Sequence, residues 1–294
     1  MRELVVISGK GGTGKTSMVA SFAALAGNAV LADCDVDAAD LHLVLSPTIR
    51  RLEKFRCGRE AVIRQADCVR CGACLARCRF DAIRIARDST GEATFTADTT
   101  ACEGCGVCVQ FCPVKAIDFP ERVSGEWYVS KTRCGPMVHA RLSPGGENSG
   151  KLVSKVRETA RRVAADQGCE LVLIDGPPGV GCPVIASLTG ASLVLIVTEP
   201  TLSGVHDLRR VIELTAHFHI PAAVCVNKWD VNAEITTLIE DEAQAKGAIL
   251  AGRVRYDRAV TAAQIQGKAV VELTDAVSGD DIRAMWDRLS KEGV

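Results

Sequence analysis

The chain has 294 residues, of which 47% are hydrophobic and 24% charged, and its formal net charge is −1. This composition is that of a globular protein, and the near-zero charge excludes a global field that would draw the chain to nucleic acid or an anionic membrane. No apolar run approaches the roughly 18–20 residues needed to cross a bilayer, and the first residues lack the apolar segment of a signal peptide. We therefore expect a cytoplasmic protein, with no nucleic acid and no membrane among its partners.

Short apolar runs alternate with helical segments along most of the chain. Strands are predicted at 4–8, 29–33, 170–175, 191–198, 222–227 and 249–253, and helices at 15–26, 149–167, 203–218 and 232–246, with two further helical segments after them. Strands that alternate with helices form a mainly parallel sheet covered on both faces. The predicted fold class is therefore α/β.

Residues 55–125 interrupt this alternation, because they are rich in Cys, Arg and Gly and show no long helical period. Strands and helices resume from about residue 126, so the segment is predicted to be an insertion in one α/β domain. The expected domains are residues 1–54 together with 126–294, and an inserted domain over 55–125.

The last helical segment carries an apolar face. Its members are Ile282, Met285, Trp286 and Leu289, and acidic and basic residues alternate around them. We expect this face to dock on the domain core and not on a membrane.

Residues 9–16 read GKGGTGKT, between the first predicted strand and the first predicted helix. This is the pattern G-x-x-x-x-G-K-T, in which backbone N–H groups turn toward phosphate oxygens and the helix N-terminus adds its dipole. Lys15 is expected to reach the β- and γ-phosphates of ATP, and the Thr16 hydroxyl to bind Mg²⁺. The predicted nucleotide-binding residues of the loop are Gly9, Lys10, Gly11, Gly12, Thr13, Gly14, Lys15, Thr16 and Ser17. A glycine-rich turn without a ligand is the alternative.

A second candidate for the Mg²⁺ site ends the predicted strand at 170–175. The run LVLID places Asp175 at the carboxyl end of that strand. A carboxylate there can hold Mg²⁺ opposite Thr16. The sequence therefore predicts Thr16 and Asp175 as the magnesium ligands.

Fourteen cysteines are many for a cytoplasmic chain, in which disulfides are disfavoured. Eight of them form the spacing C-x2-C-x2-C-x3-C twice, 34 residues apart. This is the pattern of a bacterial two-cluster ferredoxin, in which the fourth cysteine of each run binds the other cluster. The predicted ligands are Cys68, Cys71, Cys74 and Cys112 for one [4Fe–4S] cluster, and Cys102, Cys105, Cys108 and Cys78 for the other. Two zinc sites of four cysteines each are the alternative.

The early lysine of the phosphate loop, Lys10 in KGGTGKT, resembles the deviant Walker A motif of the MinD, ParA and nitrogenase iron protein group. The resemblance covers essentially the whole chain and includes GPMVHARL (135–142), DGPPGVGCPVIASLTGA (175–191) and TEPTLSG (198–204). It implies a P-loop ATPase with an inserted ferredoxin domain that holds two [4Fe–4S] clusters. It also implies that Lys10 reaches across an ATP-bound dimer to the partner's phosphates.

The resemblance also assigns roles around the nucleotide. Asp33 and Asp35 match the D-x-D of the first switch, in which Asp35 orients the attacking water. The candidate catalytic residues are therefore Lys10, Lys15 and Asp35. The residues expected on the base side of ATP are Asn227 with Lys228, and Tyr256 with Asp257.

Three functions are compatible with these motifs. The first is an ATPase, slow without a partner, that couples the nucleotide state of a dimer to electron transfer or metallocluster handling. Its partners are a second copy or a sibling ATPase, and a redox or metallocluster protein. The second is an iron–sulfur scaffold or carrier of the Mrp type, against which the lack of C-x-x-C after residue 112 counts. The third is a MinD/ParA-like positioning ATPase with structural clusters. The resemblance implies a prokaryotic host that lives as an anaerobe.

Three cysteines outside the repeat also carry expectations. Cys182 lies seven residues after Asp175, at a distance similar to that of the cluster-bridging cysteine of nitrogenase iron proteins. No second cysteine completes a bridging set, so Cys182 is expected to be a packed cysteine of the switch loop. Cys169 and Cys225 are expected to be buried small apolar residues.

Overall fold

The structure is a computed structural model that describes residues 1–87, 91–144, 146 and 149–291. The chain divides into two compact units. The first comprises Met1–Glu53, Trp127–Arg141 and Ser149–Val294, and the second comprises Lys54–Glu126 and Leu142–Asn148. The domain limits expected from the sequence stay a prediction.

The elements of the chain are as follows. The strands are β1 (Arg2–Ser8), β2 (Ala29–Asp33), β3 (Thr48–Arg59), β4 (Val62–Ile63), β5 (Ile83–Arg87), β6 (Ala93–Ala97), β7 (Ile117–Asp118), β8 (Glu121–Thr132), β9 (Gly135–Leu142), β10 (Leu171–Pro178), β11 (Leu193–Thr198), β12 (Ala222–Asn227) and β13 (Ile249–Val254). The helices are α1 (Lys15–Ala26), α2 (Leu41–Leu45), α3 (Ala73–Arg77), α4 (Val107–Gln110), α5 (Ser149–Gln167), α6 (Cys182–Leu188), α7 (Leu202–His217), α8 (Ala233–Ala245), α9 (Ala259–Ile265) and α10 (Val277–Lys291).

A nine-stranded sheet has the order β13-β12-β11-β1-β10-β2-β9-β8-β3. The neighbouring strands from β13 to β9 pair in parallel, which confirms the predicted α/β class with a mainly parallel sheet. The central strand β1 is buried throughout Leu4–Ile7, as expected of a parallel strand with both faces covered. Its apolar residues therefore anchor the core on which the neighbouring loops are mounted.

The parallel order brings three strand ends together at one edge of the sheet. β1 lies between β10 and β11, and β10 lies between β1 and β2. In the register of β2 with β10, Asp33 pairs with Asp175. The loops that leave β1, β2 and β10 therefore meet at this edge, which is where open α/β sheets bind their ligands.

The sequence analysis missed the strands at the far side of the sheet. β9 pairs in parallel with β2, with Met137 opposite Leu31, and the sheet continues through β8 to β3. β3 reads TIRRLEKFRCGR, and its apolar positions are separated by charged ones and are mostly exposed. Such a strand lacks the buried apolar run that identified the others, so its pattern did not indicate a strand.

The second unit shows the 34-residue repeat in its backbone. It contains two small antiparallel sheets, β4 with β7 and β5 with β6. Gly72 and Gly106 precede α3 and α4 in the same left-handed conformation, each with a φ of 73°. The N–H of Arg64 donates to Ala116 O, and 34 residues later the N–H of Asp98 donates to Ala82 O. The two halves of the unit therefore exchange equivalent hydrogen bonds.

The C-terminal helix docks as predicted. In α10, Ile282, Met285 and Leu289 are buried in the main core, and the Trp286 ring lies 5.1 Å from the Phe22 ring. Within the described ranges, no helix is long and apolar enough to cross a membrane.

Replacing Leu173 by Ala tests the core. The Leu173 side chain is fully buried in β10. Its truncation leaves a cavity between the sheet and its helices, and we expect the free energy of unfolding to fall by about 3 kcal/mol. Urea denaturation followed by circular dichroism measures this change. Leu202→Ala is the control, because Leu202 is 75% exposed and its truncation should change the unfolding midpoint little. Equal losses in the two variants would contradict the described core.

Candidate functional site

Close contacts require glycine in the loop that follows β1. A Cβ at Gly9 would lie 2.2 Å from Asp207 Cβ, and a Cβ at Gly14 would lie 2.5 Å from Asn227 Nδ2. Gly12 and Gly14 have φ values of 79° and 95°, which favour glycine. The Asn227 amide also donates to Thr13 O at 2.8 Å, so β12 holds the loop in this shape.

A cavity of about 720 Å³ opens over the loop. It is lined by Gly11, Gly12, Gly14, Lys15, Thr16, Ser17, Asp35, Asp37, Ala38, Asp40, Leu43, Val44, Pro177, Pro178, Pro183, Gln264 and Ile265. Of the nine predicted loop residues, Gly9, Lys10 and Thr13 are not in this lining. The cavity therefore combines the start of α1 with the segments that follow β2 and β10.

Two carboxyl groups lie buried beneath this cavity. Asp33 is 0% exposed and Asp175 is 1% exposed. Neither carboxylate oxygen of Asp175 has a hydrogen-bond partner among the described residues, and Asp33 Oδ2 has none there either. A buried polar atom without a hydrogen-bond partner is energetically unfavourable. This pair of carboxyl groups is therefore suited to a ligand that coordinates carboxylate oxygens.

Burial also shifts the protonation of both groups. It raises the pKa of Asp175 to about 7, although the neighbouring Thr16 hydroxyl and Lys15 ammonium lower it. Burial raises the pKa of Asp33 well above its usual range, and the charge of Asp175 adds to this. A bound divalent cation would offset both effects, and carboxylate and hydroxyl oxygens are the ligands that Mg²⁺ prefers. The residues present therefore fit Mg²⁺.

Asp35 lies in the cavity lining, two residues beyond the end of β2. Its N–H donates to Asp33 Oδ1 at 3.2 Å, which fixes the turn that presents it. Partial burial raises the pKa of Asp35, while the charge of Lys15 lowers it. The carboxyl is thus positioned to face a ligand of the phosphate loop.

Lys10 points away from this cavity toward another element. Its ammonium lies 3.5 Å from Glu199 Oε2, at the end of β11, and its side chain is 36% exposed. The Ser8 hydroxyl donates to Lys10 O at 2.6 Å and holds the backbone there. Lys10 therefore does not share the position of Lys15, which is 5% exposed.

A second cavity, of about 250 Å³, adjoins the first and shares Gly12, Gly14, Ser17 and Gln264 with it. All four predicted base-side residues line it: Asn227, Lys228, Tyr256 and Asp257. The location agrees with the expectation, and a role in binding the base stays a prediction.

Three of these side chains already have partners in the protein, and Lys228 is the one that pairs with Glu199. Asp257 accepts hydrogen bonds from Ala259 N at 2.8 Å and from the N–H and hydroxyl of Ser278. The Asn227 amide is engaged with Thr13 O, and its oxygen accepts from Lys228 N at 3.0 Å. Asp257 therefore shapes the wall of the cavity through α9 and α10.

Sequence reasoning missed the contribution of α9. Gln264 lines both cavities and donates to Ser17 Oγ at 2.9 Å, and Ile265 is 83% exposed at the rim. No motif marks these positions. Only the return of α9 to the edge of the sheet brings them to the phosphate loop.

The second unit contains two cavities, each lined by four cysteines. One is lined by Cys68, Cys71, Cys74 and Cys112, and the other by Cys78, Cys102, Cys105 and Cys108. The membership of each set is the exchanged arrangement expected from the sequence. The apolar core of the unit lies between them and comprises Ala61, Ile63, Ile83, Phe95 and Ile117.

The surroundings of the thiols combine partial burial with hydrogen bonds from backbone N–H groups. Burial raises the pKa of the Cys74 and Cys108 thiols. The N–H of Ala116 donates to Cys112 Sγ at 3.2 Å, and that of Ala82 to Cys78 Sγ at 3.4 Å. Burial therefore favours the neutral thiols of Cys74 and Cys108 over their thiolates.

Across residues 1–87, 91–144, 146 and 149–291, no group of three or more His, Cys, Asp or Glu side chains is arranged to hold a metal ion. The metal group that these cysteines would bind therefore stays a prediction.

The cysteines outside the repeat differ in exposure. Cys182 begins α6 and is exposed, so the expectation that it is packed is wrong. Cys169 and Cys225 are buried, as predicted.

Comparison with known proteins places this geometry in a wider group. Residues 4–270 match the family described as the CobQ/CobB/MinD/ParA nucleotide binding domain. The chain is 37% identical over 234 residues to the uncharacterized protein MJ0578 of Methanocaldococcus jannaschii, covering 78% of this chain and 79% of that protein. It is 27% identical over 242 residues to MJ0579 of the same organism, covering 79% and 83%. Among solved structures, the fold is similar to MinD complexed with Mg-ADP from Pyrococcus horikoshii OT3, with a TM-score of 0.59, 15% identity, and 99% and 96% of the two chains covered.

Replacing Asp175 by Asn tests the buried carboxyl. The pKa of Asp175 is about 7 in the folded chain. Its usual value is about 3.9 in the unfolded chain. As pH rises from 4 to 7 the unfolded chain loses this proton first, so the free energy of unfolding falls across that window. The Asn side chain does not titrate in this range, so the variant does not undergo this fall in the free energy of unfolding. We expect it to exceed the wild type in stability by on the order of 2–4 kcal/mol at pH 8, and by little near pH 4.

Urea denaturation at several pH values, without Mg²⁺ or nucleotide, measures this difference. Asp241→Asn is the matched control, because Asp241 is exposed and its replacement should give no such pH dependence. An Asp175→Asn difference that does not change with pH would contradict the expectation.

Proposed function

The chain belongs to the CobQ/CobB/MinD/ParA nucleotide-binding domain family, and on this premise we propose that it hydrolyses ATP with Mg²⁺ as an ATPase of the MinD/ParA type. The observation that carries the proposal is the buried pair Asp33 and Asp175 beneath the cavity of the phosphate loop, in which three of the four carboxylate oxygens have no hydrogen-bond partner among the described residues. Buried carboxylates without partners are retained where a cation completes them.

The residues of the cavity have different roles in binding and hydrolysing ATP. The backbone N–H groups of the loop and the Lys15 ammonium bind the phosphates. Thr16 and Asp175 would hold Mg²⁺, which neutralises phosphate charge when bound. Asp35, in the cavity lining, orients the attacking water and can accept its proton. The turn fixed by Asp33 Oδ1 positions that carboxylate.

Lys10 is proposed to act on a second chain. It lies outside the lining of its own cavity and is 36% exposed, unlike the buried Lys15. A lysine in this position can contribute its charge to phosphates across an interface. We therefore propose that ATP joins two copies, or this chain and a sibling ATPase, with Lys10 completing the partner's site.

The comparisons support a P-loop ATPase of the MinD/ParA type better than the electron-transfer interpretation. The family match concerns the nucleotide-binding domain, and the similar MinD structure is a complex with Mg-ADP. A MinD/ParA-like positioning ATPase is therefore the simplest function for the first unit. Its cargo stays a proposal, as does the absence of nucleic acid and membrane among its partners.

A second candidate function rests on the cysteine cavities. We infer that the second unit holds two [4Fe–4S] clusters, because each cavity is lined by three cysteines of one run and the fourth of the other. Two bound clusters would supply one-electron redox chemistry. The chain would then transfer electrons to, or handle a metallocluster for, a protein partner. A scaffold or carrier role is an alternative use of the same clusters.

Two lysine substitutions test the ATPase. With Lys15→Ala, we expect ATP binding by the single chain to weaken at least tenfold, because the phosphates lose a charge-assisted contact. With Lys10→Ala, we expect that binding to be retained, while association of two chains is lost and hydrolysis falls about 100-fold. Isothermal titration, sedimentation velocity and phosphate release measure the three quantities. Lys268→Ala is the surface control, and wild-type hydrolysis by Lys10→Ala would contradict the proposed dimer.

Metal analysis tests the clusters. After anaerobic purification we expect about eight irons and eight sulfides per chain, as two [4Fe–4S] clusters require. Cys74→Ser should lower the iron content by about half or more, because it removes one ligand from one set. Cys182→Ser is the control, since this exposed cysteine lies outside both sets, and it should retain all the iron. Zinc in place of iron, or a full iron content in Cys74→Ser as well as in Cys182→Ser, would contradict the inference.

A further inference from the structure

Glu199 contacts two lysines of the nucleotide site at once. It follows β11 directly, and its Oε1 accepts a hydrogen bond from Lys228 Nζ at 2.5 Å. Its Oε2 lies 3.5 Å from Lys10 Nζ. Lys228 lines the base-side cavity, whereas Lys10 belongs to the phosphate loop. One carboxylate therefore joins the two parts of the site.

The two contacts differ in strength. The Glu199–Lys228 contact is a short, charge-assisted hydrogen bond, which is the strong kind. The Lys10 contact is longer than a hydrogen bond, and the Lys10 side chain is 36% exposed, so water and salt weaken it. Lys228 thus fixes the carboxylate, and Lys10 is the partner that can leave.

The backbone prevents Glu199 from following Lys10. Glu199 O accepts a hydrogen bond from Thr201 N at 2.8 Å. A Cβ at Gly204 would lie 2.3 Å from the same oxygen, so α7 packs directly against it. The Thr201 hydroxyl accepts from Gly204 N at 3.0 Å and caps that helix. A displacement of Lys10 toward a second chain therefore breaks its contact with Glu199.

Releasing Lys10 leaves no unpaired charge behind. The Glu199 side chain is only 16% exposed, and an isolated carboxylate there would be unfavourable. Because Lys228 stays bound, the carboxylate remains neutralised after Lys10 has gone. The arrangement therefore holds Lys10 loosely and allows its reversible release.

We propose that Glu199 is a positioning residue that retains Lys10 in its own chain until the phosphates of a second chain's ATP compete for it. This proposal rests on the proposed ATP-dependent dimer. It assigns Glu199 the regulation of association, with Lys228 as its permanent partner. Glu199 opposes association to the extent that its contact with Lys10 must be broken.

The first test uses the nucleotide-free chain. Glu199→Gln retains the shape of the side chain and an oxygen for Lys228, but removes the charge that holds Lys10. The rate at which an amine-acylating reagent modifies Lys10 is measured by peptide mass spectrometry, with Lys268 as the internal reference. We expect a rate about two- to fivefold higher in the variant at low salt, and no difference in about 1 M salt.

The second test measures association. With a non-hydrolysable ATP analogue, we expect Glu199→Gln to lower the concentration for half-association about two- to fivefold in sedimentation velocity. Glu213→Gln is the matched control, because Glu213 pairs with Lys246 on the surface of the same unit and has no contact with Lys10. It should change neither the acylation of Lys10 nor the association.

The outcomes separate this proposal from the proposed function. An unchanged acylation rate in Glu199→Gln overturns the retention of Lys10, whatever the protein does with ATP. A raised rate with unchanged association, in a wild type that does associate, overturns the competition with phosphate. A wild type that fails to associate with the analogue contradicts the proposed dimer, and the acylation result then decides the role of Glu199 alone.

Discussion

The Asp33 and Asp175 carboxyls lie side by side at the ends of two parallel strands, almost without access to water. Burial and mutual repulsion make ionisation of both groups unfavourable, and three of their four oxygens have no hydrogen-bond partner among the described residues. A folded chain retains such energetically unfavourable buried groups where a bound ligand offsets their free-energy cost. Much of the first unit can be understood as the support that holds this pair beneath the phosphate loop.

The support is built from simple elements. The apolar strands β1, β2 and β10 form the buried centre of the sheet, and their parallel order places their carboxyl ends at one edge. The phosphate loop leaves β1 there, with glycines where neighbouring atoms leave no room for a Cβ. Asn227 fastens the loop from β12, and Gln264 reaches it from α9. The positive charge of Lys15 therefore lies near the carboxyl groups whose pKa values it lowers.

Much of the fold followed from the sequence because it depends on continuous apolar runs. The bounds of α1, β2 and α5 agree with the prediction, since each has a clear run of apolar or helical residues. β3 and β9 did not have one: charged residues separate the apolar positions of β3, and β9 begins with Gly-Pro. Such strands are defined by their neighbours in the sheet, which a local pattern does not reveal.

The residues of the candidate site also include some that the sequence predicted and some that it did not. Motifs predicted the phosphate loop, Asp175 and the two cysteine sets, because each of them has a characteristic residue spacing. Glu199 and Gln264 carry no motif, and only the folded sheet brings them to the loop. Cys182 was expected to be packed but is exposed at the first position of α6.

The exchange of the fourth cysteine between the halves of the second unit has a consequence for how this unit forms. Each cavity takes three thiols from one run and its last thiol from the other. Backbone hydrogen bonds also join the two halves, from the N–H of Arg64 to Ala116 O and from the N–H of Asp98 to Ala82 O. Neither half can therefore complete a four-thiol site by itself, as an independently folding duplicate would. Loss of either run would therefore alter both cavities, by removing three thiols from one and a single thiol from the other.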